Sequence, residues 1–167
     1  MSSASVPVFR AMLRNLSHFL DKGAAHAQAR KFDPQVLCTS RLAPDMLPLA
    51  RQVQIACDQA KNGVSRISGV EAPRFEDNEA TFDELKARIA KTLDWLATVP
   101  AEKLDGTEDK DITFPIGREA TRTMKGEAYL KHWVLPNFFF HVTTAYAILR
   151  HNGVELGKTD YLAGAAQ

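Results

Sequence analysis

Residues 127–151 read EAYLKHWVLPNFFFHVTTAYAILRH, and the spacing of their apolar side chains decides the fold. Leu130, Val134, Phe138, Val142, Ala145 and Ile148 recur every three or four positions, the interval that stacks side chains on one face of an α-helix. Asn152-Gly153 supplies a stop. Pro136 has no amide hydrogen and its ring crowds the preceding turn, so it should kink the helix or restart it. A stripe of this kind has to be covered by other elements, and the rest of the chain supplies them.

Working back toward the start, three further segments carry the same period. Phe9, Leu13, Leu16, Leu20, Ala24 and Ala27 mark a helix over about 5–30, opened by Ser5 and Pro7. Gly23 within it marks a close contact between helices, where a missing side chain lets backbones approach. Met46, Leu49, Val53, Cys57, Ala60, Val64 and Ile67 mark a second helix over 45–68, ending at Gly69. Phe82, Leu85, Ile89, Leu93 and Leu96 mark a third over 81–99, with Thr81 and Glu84 spaced as a capping box and Pro100 as the stop. Asp33-Pro34 opens a short helical turn through Cys38, and the acidic, proline-containing stretch 70–80 reads as a crossing loop.

Residues 103–126 differ. Ile112–Phe114 and Thr121–Met124, around Pro115 and Gly117, predict two short extended pieces joined by a turn. The tail after Val154 has few anchors beyond Tyr161 and Leu162 and should pack loosely. The expectation is an all-α fold, one domain over 1–167. It is an antiparallel four-helix bundle with a crossover connection and a short extended ribbon before the last helix.

Composition narrows the function classes. Lys and Arg total 21 against 20 Asp and Glu, and the charges are interspersed. That is not the basic stripe of a nucleic-acid binder. No apolar run approaches the roughly 20 residues of a membrane span. Arg10, Arg14 and the early serines, with no acid before Asp21, resemble an organellar presequence, but the helical period runs on past Asp21, which favours a first bundle helix. Two cysteines, Cys38 and Cys57, are too few for a disulfide framework and fit a reducing, cytoplasmic setting; both are expected to be inert.

Function should sit where polar residues interrupt the apolar faces. Asn137 and His141 fall inside the last helix's stripe, one turn apart. Gln54 and Asp58, also one turn apart, flank the Val53–Cys57 stripe. Asp58 could orient His141 through one ring nitrogen and leave the other for a proton or a metal. Equally, Gln54, Asp58 and Lys61 read as a solvated strip, and His141 as a satisfied core histidine. His18 should be exposed, His26 marginal, His132 off the face and His151 at a helix end. No His-x-x-x-His or Glu-x-x-His pair occurs, nor a phosphate loop, a nucleophile elbow, a dinucleotide fingerprint or a Cys-x-x-Cys pair. Of the three consecutive phenylalanines 138–140, at least one must meet another helix or a second subunit, because they cannot all face one way.

Two stretches, RLAPDMLPLARQVQIACDQAK (41–61) and LPNFFFHVTTAYAILRHNGVELGKTDYL (135–162), resemble an uncharacterised domain-of-unknown-function family grouped with the DinB-like helical bundles. The resemblance implies an up-down-down-up bundle, commonly homodimeric. The wider superfamily carries a metal on three histidines, one from the second helix and two spaced four apart on the fourth, and some members transfer small thiols. Here His141 matches one position, Asn137 stands at the other, and 45–68 contains no histidine. A divalent metal is therefore disfavoured, with His141 and Asp58 as the plausible ligands. The expected function is a core pocket at Gln54, Asp58, Asn137 and His141 that takes a small molecule or, weakly, a metal. The alternatives are a metal-dependent or His141-based small-thiol transferase and a structural or stress-related dimer.

Overall fold

The boundaries of the long helices follow from local chemistry. The structure is a computed structural model and describes residues 1–117 and 119–163. Helix α1 spans Val6–Arg30 and ends on Lys31 in the left-handed region (φ 58°). A short α2 covers Gln35–Thr39. Helix α3 spans Leu49–Ser68 and ends on left-handed Gly69 (φ 76°). Its start is a correction to the expected position 45. Pro48 is extended (ψ 167°) and steers Leu47 before it away from helical angles, so the helix begins only after the proline. Helix α4, Phe82–Thr98, carries the expected capping box: Thr81 accepts from the Glu84 amide while the Glu84 carboxylate accepts from the Thr81 amide.

The ribbon is an antiparallel pair, β1 (Asp111–Ile116) and β2 (Ala120–Lys125), with Thr113 opposite Thr123 and Phe114 opposite Arg122. Among the described residues the chain is thus mostly helical with one small two-stranded antiparallel sheet, and not purely α. Helix α5 (Gly126–Tyr129) leads through a π-helical turn at Leu130–Val134 into α6 (Leu135–His151). Pro136 lies in the first turn of α6. It cannot donate to the carbonyl one turn back, and the wider turn before it absorbs the missing bond. The break expected at the proline is therefore a bulge in an otherwise continuous rod.

Helix α3 packs on α4 and α6, and α1 packs on α4 and α6, around one core. Leu13, Leu16, Leu20, Val53, Cys57, Leu85, Ile89, Phe138, Val142 and Ile148 are all buried in it. Early in α1, Phe9 meets Phe138 edge-on at 4.9 Å. Late in α1, a β-carbon on Gly23 would lie 3.1 Å from Phe82 and 3.2 Å from Leu149, so the close approach expected there is present. The last element, α7 (Lys158–Ala163), docks on α1, with Tyr161 stacked on Phe19 at 6.0 Å and its carbonyl accepting from Asn15 at 2.8 Å. The tail is thus more tightly held through Tyr161 than expected, while Leu162 is exposed; positions 164–167 lie outside the described residues. No helix among the described residues is long and apolar enough to cross a membrane.

A very close approach in the core joins α3 to the π-helical turn that leads into α6. A β-carbon on Gly63 would fall 2.5 Å from Val134 Cγ1, and Val134 is fully buried. Alanine would gain about 1 kcal/mol of helix propensity but overpack a stiff β-branched partner at a cost of roughly 1–3 kcal/mol. Gly63→Ala is expected to lower the urea midpoint at unchanged m-value; a raised midpoint would show that the two helices separate freely.

Candidate functional site

The residues singled out from the sequence do not come together: Gln54 and Asp58 lie in one polar cluster and His141 in another, on different sides of α3. Gln54 and Asp58 face α4, and His141 with Asn137 lies on α6.

The first cluster is built around Arg88 of α4, whose side chain is 1% exposed. Its Nη2 lies 2.9 Å from Asp58 and donates to the Gln54 carbonyl at 3.4 Å. Its Nη1 reaches Asp77 at 2.7 Å and Glu79 at 3.1 Å, both from the connection between α3 and α4. Lys61 sits 3.3 Å from Asp58. The Phe75 ring covers both cations, 4.2 Å from Lys61 Nζ and 4.7 Å from Arg88 Cζ. Gln54 donates to Glu79 at 2.9 Å and accepts from Arg51 at 2.6 Å, and Arg51 also pairs with Asp77 at 3.0 Å.

Three cations thus meet three carboxylates. Burial works against the Arg88 charge, and the carboxylates led by Asp58 more than restore it. Burial would likewise lift the Asp77 carboxyl, but hydrogen bonds from Arg51 and Arg88 outweigh it and hold it below the usual carboxylate range. Sequence reasoning overlooked Arg88. Its signal was its position, three residues after Leu85 and four before Thr92, on the buried face of α4.

The second cluster is small. His141 is 9% exposed, and its Nδ1 lies 2.7 Å from Gln52 Oε1. Gln52 Nε2 donates to the Leu47 carbonyl at 3.0 Å, so its oxygen faces the ring and Nδ1 carries the proton. Gln52, and not Asp58, therefore orients His141. Asn137 is half-buried one turn earlier on α6. Burial pushes the His141 pKa down from 6.5, which keeps the ring neutral at pH 7. Among the described residues, the sealed side-chain atoms without a partner are Arg10 Nε and Arg88 Nε, not His141 Nε2.

Other polar groups have plain structural uses. His18 is half-buried, not exposed as expected, and lies 3.3 Å from Asp160. His26 meets Phe32 edge-on. Burial pushes the Cys38 thiol up to about 11 and the Cys57 thiol up to about 12, so both stay protonated. No group of three His, Cys, Asp or Glu side chains among the described residues is arranged to hold a metal. The site offers a neutral imidazole held in one tautomer and an ionic cage in which three cations meet three carboxylates.

Of the aromatic triplet, Phe138 is sealed in the core, Phe139 is half-buried, and Phe140 is 56% exposed. Phe140 and Phe139 border an open groove of about 460 Å³ with Leu42, Met46 and Ala147.

A neutral buried histidine makes stability pH-dependent with a definite sign. Above the ordinary imidazole pKa of 6.5 its contribution is full. Below it the unfolded chain takes up a proton that the folded chain refuses, and stability is lost as pH falls toward the depressed folded value. Between about pH 7 and about pH 5, wild type should lose more unfolding free energy than His141→Gln in urea titrations. Parallel losses in both would show that the ring protonates freely in the folded state.

Comparison with known proteins agrees with this architecture. The DUF1993 family, a domain of unknown function, matches residues 1–162. The crystal structure of a DinB family member from Shewanella denitrificans is similar at 43% identity and a TM-score of 0.89, covering 96% of this chain and 90% of that one. No protein of curated function matches. With its family matched over nearly the whole length, the chain belongs to the DUF1993 family of DinB-like helical proteins.

Proposed function

We propose that the chain is an antiparallel, up-down-down-up four-helix bundle that works as a homodimer assembled through the Phe140 face of α6. The contact pattern supports the topology. Phe9 pairs with Phe138 and Gly23 with Leu149, so α1 and α6 run the same way. Gly23 beside Phe82, with Asp21 paired to Lys86, sets α4 against α1. Gln52 with His141 and Gly63 with Val134 set α3 against α6. Helices α3 and α4 are then parallel, which requires the connection between them to cross back along the bundle.

The observation that carries the assembly is Phe140. A phenylalanine 56% exposed on the outside of a core helix leaves a large apolar surface in water. Leu42 and Leu47, two of the other exposed large hydrophobics, lie in the stretch between α2 and α3 that borders the same groove through Leu42 and Met46. A two-fold contact would place each Phe140 in the partner's groove, an isologous arrangement that closes on itself. The net charge of +1 imposes little repulsion between copies. Cytoplasmic residence belongs to the same reading, supported by two cysteines kept as buried free thiols.

A small apolar ligand in this groove is the second reading. Its volume falls within the roughly 300–1,000 Å³ of ligand pockets, and Thr143 and Thr144 add hydroxyls to its lining. The ligand reading thus moves from the dispersed set Gln54, Asp58, Asn137 and His141 to the Phe140 groove. A small-thiol transferase finds no support in the donor set around His141, whose Nδ1 is engaged by an amide.

Light scattering coupled to size exclusion separates these readings. Wild type is expected at twice the 18.5 kDa chain mass, with Phe140→Asp weakening self-association at least about 100-fold. A monomeric wild type, or a dimer indifferent to Phe140→Asp, would overturn the assembly and leave the groove to a ligand.

A further inference from the structure

Residues 70–80 form neither helix nor strand and run back along the groove between α3 and α4. Trp95 holds the Glu71 carbonyl at 3.0 Å, Lys61 holds the Pro73 carbonyl at 2.8 Å, and Gln54 and Arg88 hold Glu79. Among the described residues, no backbone-to-backbone hydrogen bond ties this strap to a helix. Its attachment is made by side chains, and the strongest of these converge on Arg88. Asp77 adopts the left-handed region (φ 56°), a conformation unfavourable for a residue with a β-carbon, while its carboxylate reaches Arg51 and Arg88.

The charges divide unevenly between strap and helices. The helices contribute Arg51, Lys61 and Arg88 against the single carboxylate of Asp58, while the strap contributes Asp77 and Glu79. Without the strap, the groove would present a planar guanidinium and two further cations with one acid between them. Arg88 is the deepest of these, and its Nε is sealed from solvent with no partner. Forked donors of this kind suit oxyanions.

We propose that Asp77 and Glu79 are internal occupants of an anion-binding groove on α3 and α4, and that an incoming oxyanion group displaces them and frees the strap. The groove is masked in the resting protein, and the ligand it takes carries a phosphate or carboxylate group. Strap and ligand compete for one guanidinium, so binding is coupled to exposure of the strap. The proposal does not depend on the Phe140 face.

Inorganic phosphate is the probe, compared with sodium chloride at matched ionic strength. In Asp77→Asn/Glu79→Gln, phosphate should raise the melting temperature saturably by several degrees, and wild type should respond far less. In wild type, phosphate should speed tryptic cleavage after Arg74, an exposed strap residue, while helical circular dichroism stays constant. If the double variant does not fold, Glu79→Gln alone is read in the same way. A phosphate response no larger than that of chloride in the variant would overturn the proposal. So would an equal response in both forms, which would place the anion elsewhere.

Discussion

A charge buried between two helices governs this structure. Arg88 projects from α4 into the interior beside α3 with almost no exposed surface. Taking a guanidinium out of water costs several kcal/mol unless opposite charges and hydrogen bonds replace the water. The fold supplies these from two directions: Asp58 from the neighbouring helix, and Asp77 with Glu79 from the connection. The first pairing sets how α4 lies on α3. The second draws the connection back along the pair and seats Phe75 over the cations. With one side of α3 committed to Arg88, its other side packs on α6 through Gly63 and Gln52.

The apolar periods made the four long helices legible, and the Thr81–Glu84 spacing located the start of α4, because those rules act within a single turn. The ribbon was legible from its turn residues. The start of α3 was not, since Asp45 reads as a helix opener while the outcome rests on Pro48. The site was legible only in part, for a related reason. Spacing tells which residues share a face of one helix, but not which neighbour that face meets. Asp58 suits His141 and Arg88 equally on local grounds, and only the placement of α3 among its neighbours decides between them. Gln52 and Gln54 are two residues apart yet serve different sides of the helix. Arg88, between Leu85 and Ile89, resembles an ordinary flank charge until the acidic connection is folded over it.

For function, the geometry turns attention from the interior to the surface. Most of the interior polar groups are matched within the fold: burial keeps the histidine neutral while an amide orients it, and carboxylates match the arginine at both terminal nitrogens though not at Nε. The histidine set that the resemblance implies is incomplete in this sequence, with Asn137 one turn from His141 and Gln52, an amide, as the α3 residue on its ring. Phe140 on the outside of α6 and the strap over α3 and α4 are two places where surface chemistry is left over from folding.

The most direct test of the account is a double-mutant cycle of Arg88→Met and Asp58→Leu, read as unfolding free energy in urea. If the buried guanidinium depends on its helix partner, each single substitution unbalances the charges around the other, leaving Arg88 to Asp77 and Glu79 alone and Asp58 to Lys61 alone. The double variant should then recover much of the loss, with a coupling energy of about 1.5–3 kcal/mol. Losses that add to within about 0.5 kcal/mol would show that Asp58 and Arg88 act independently and that the clasp does not organise the fold.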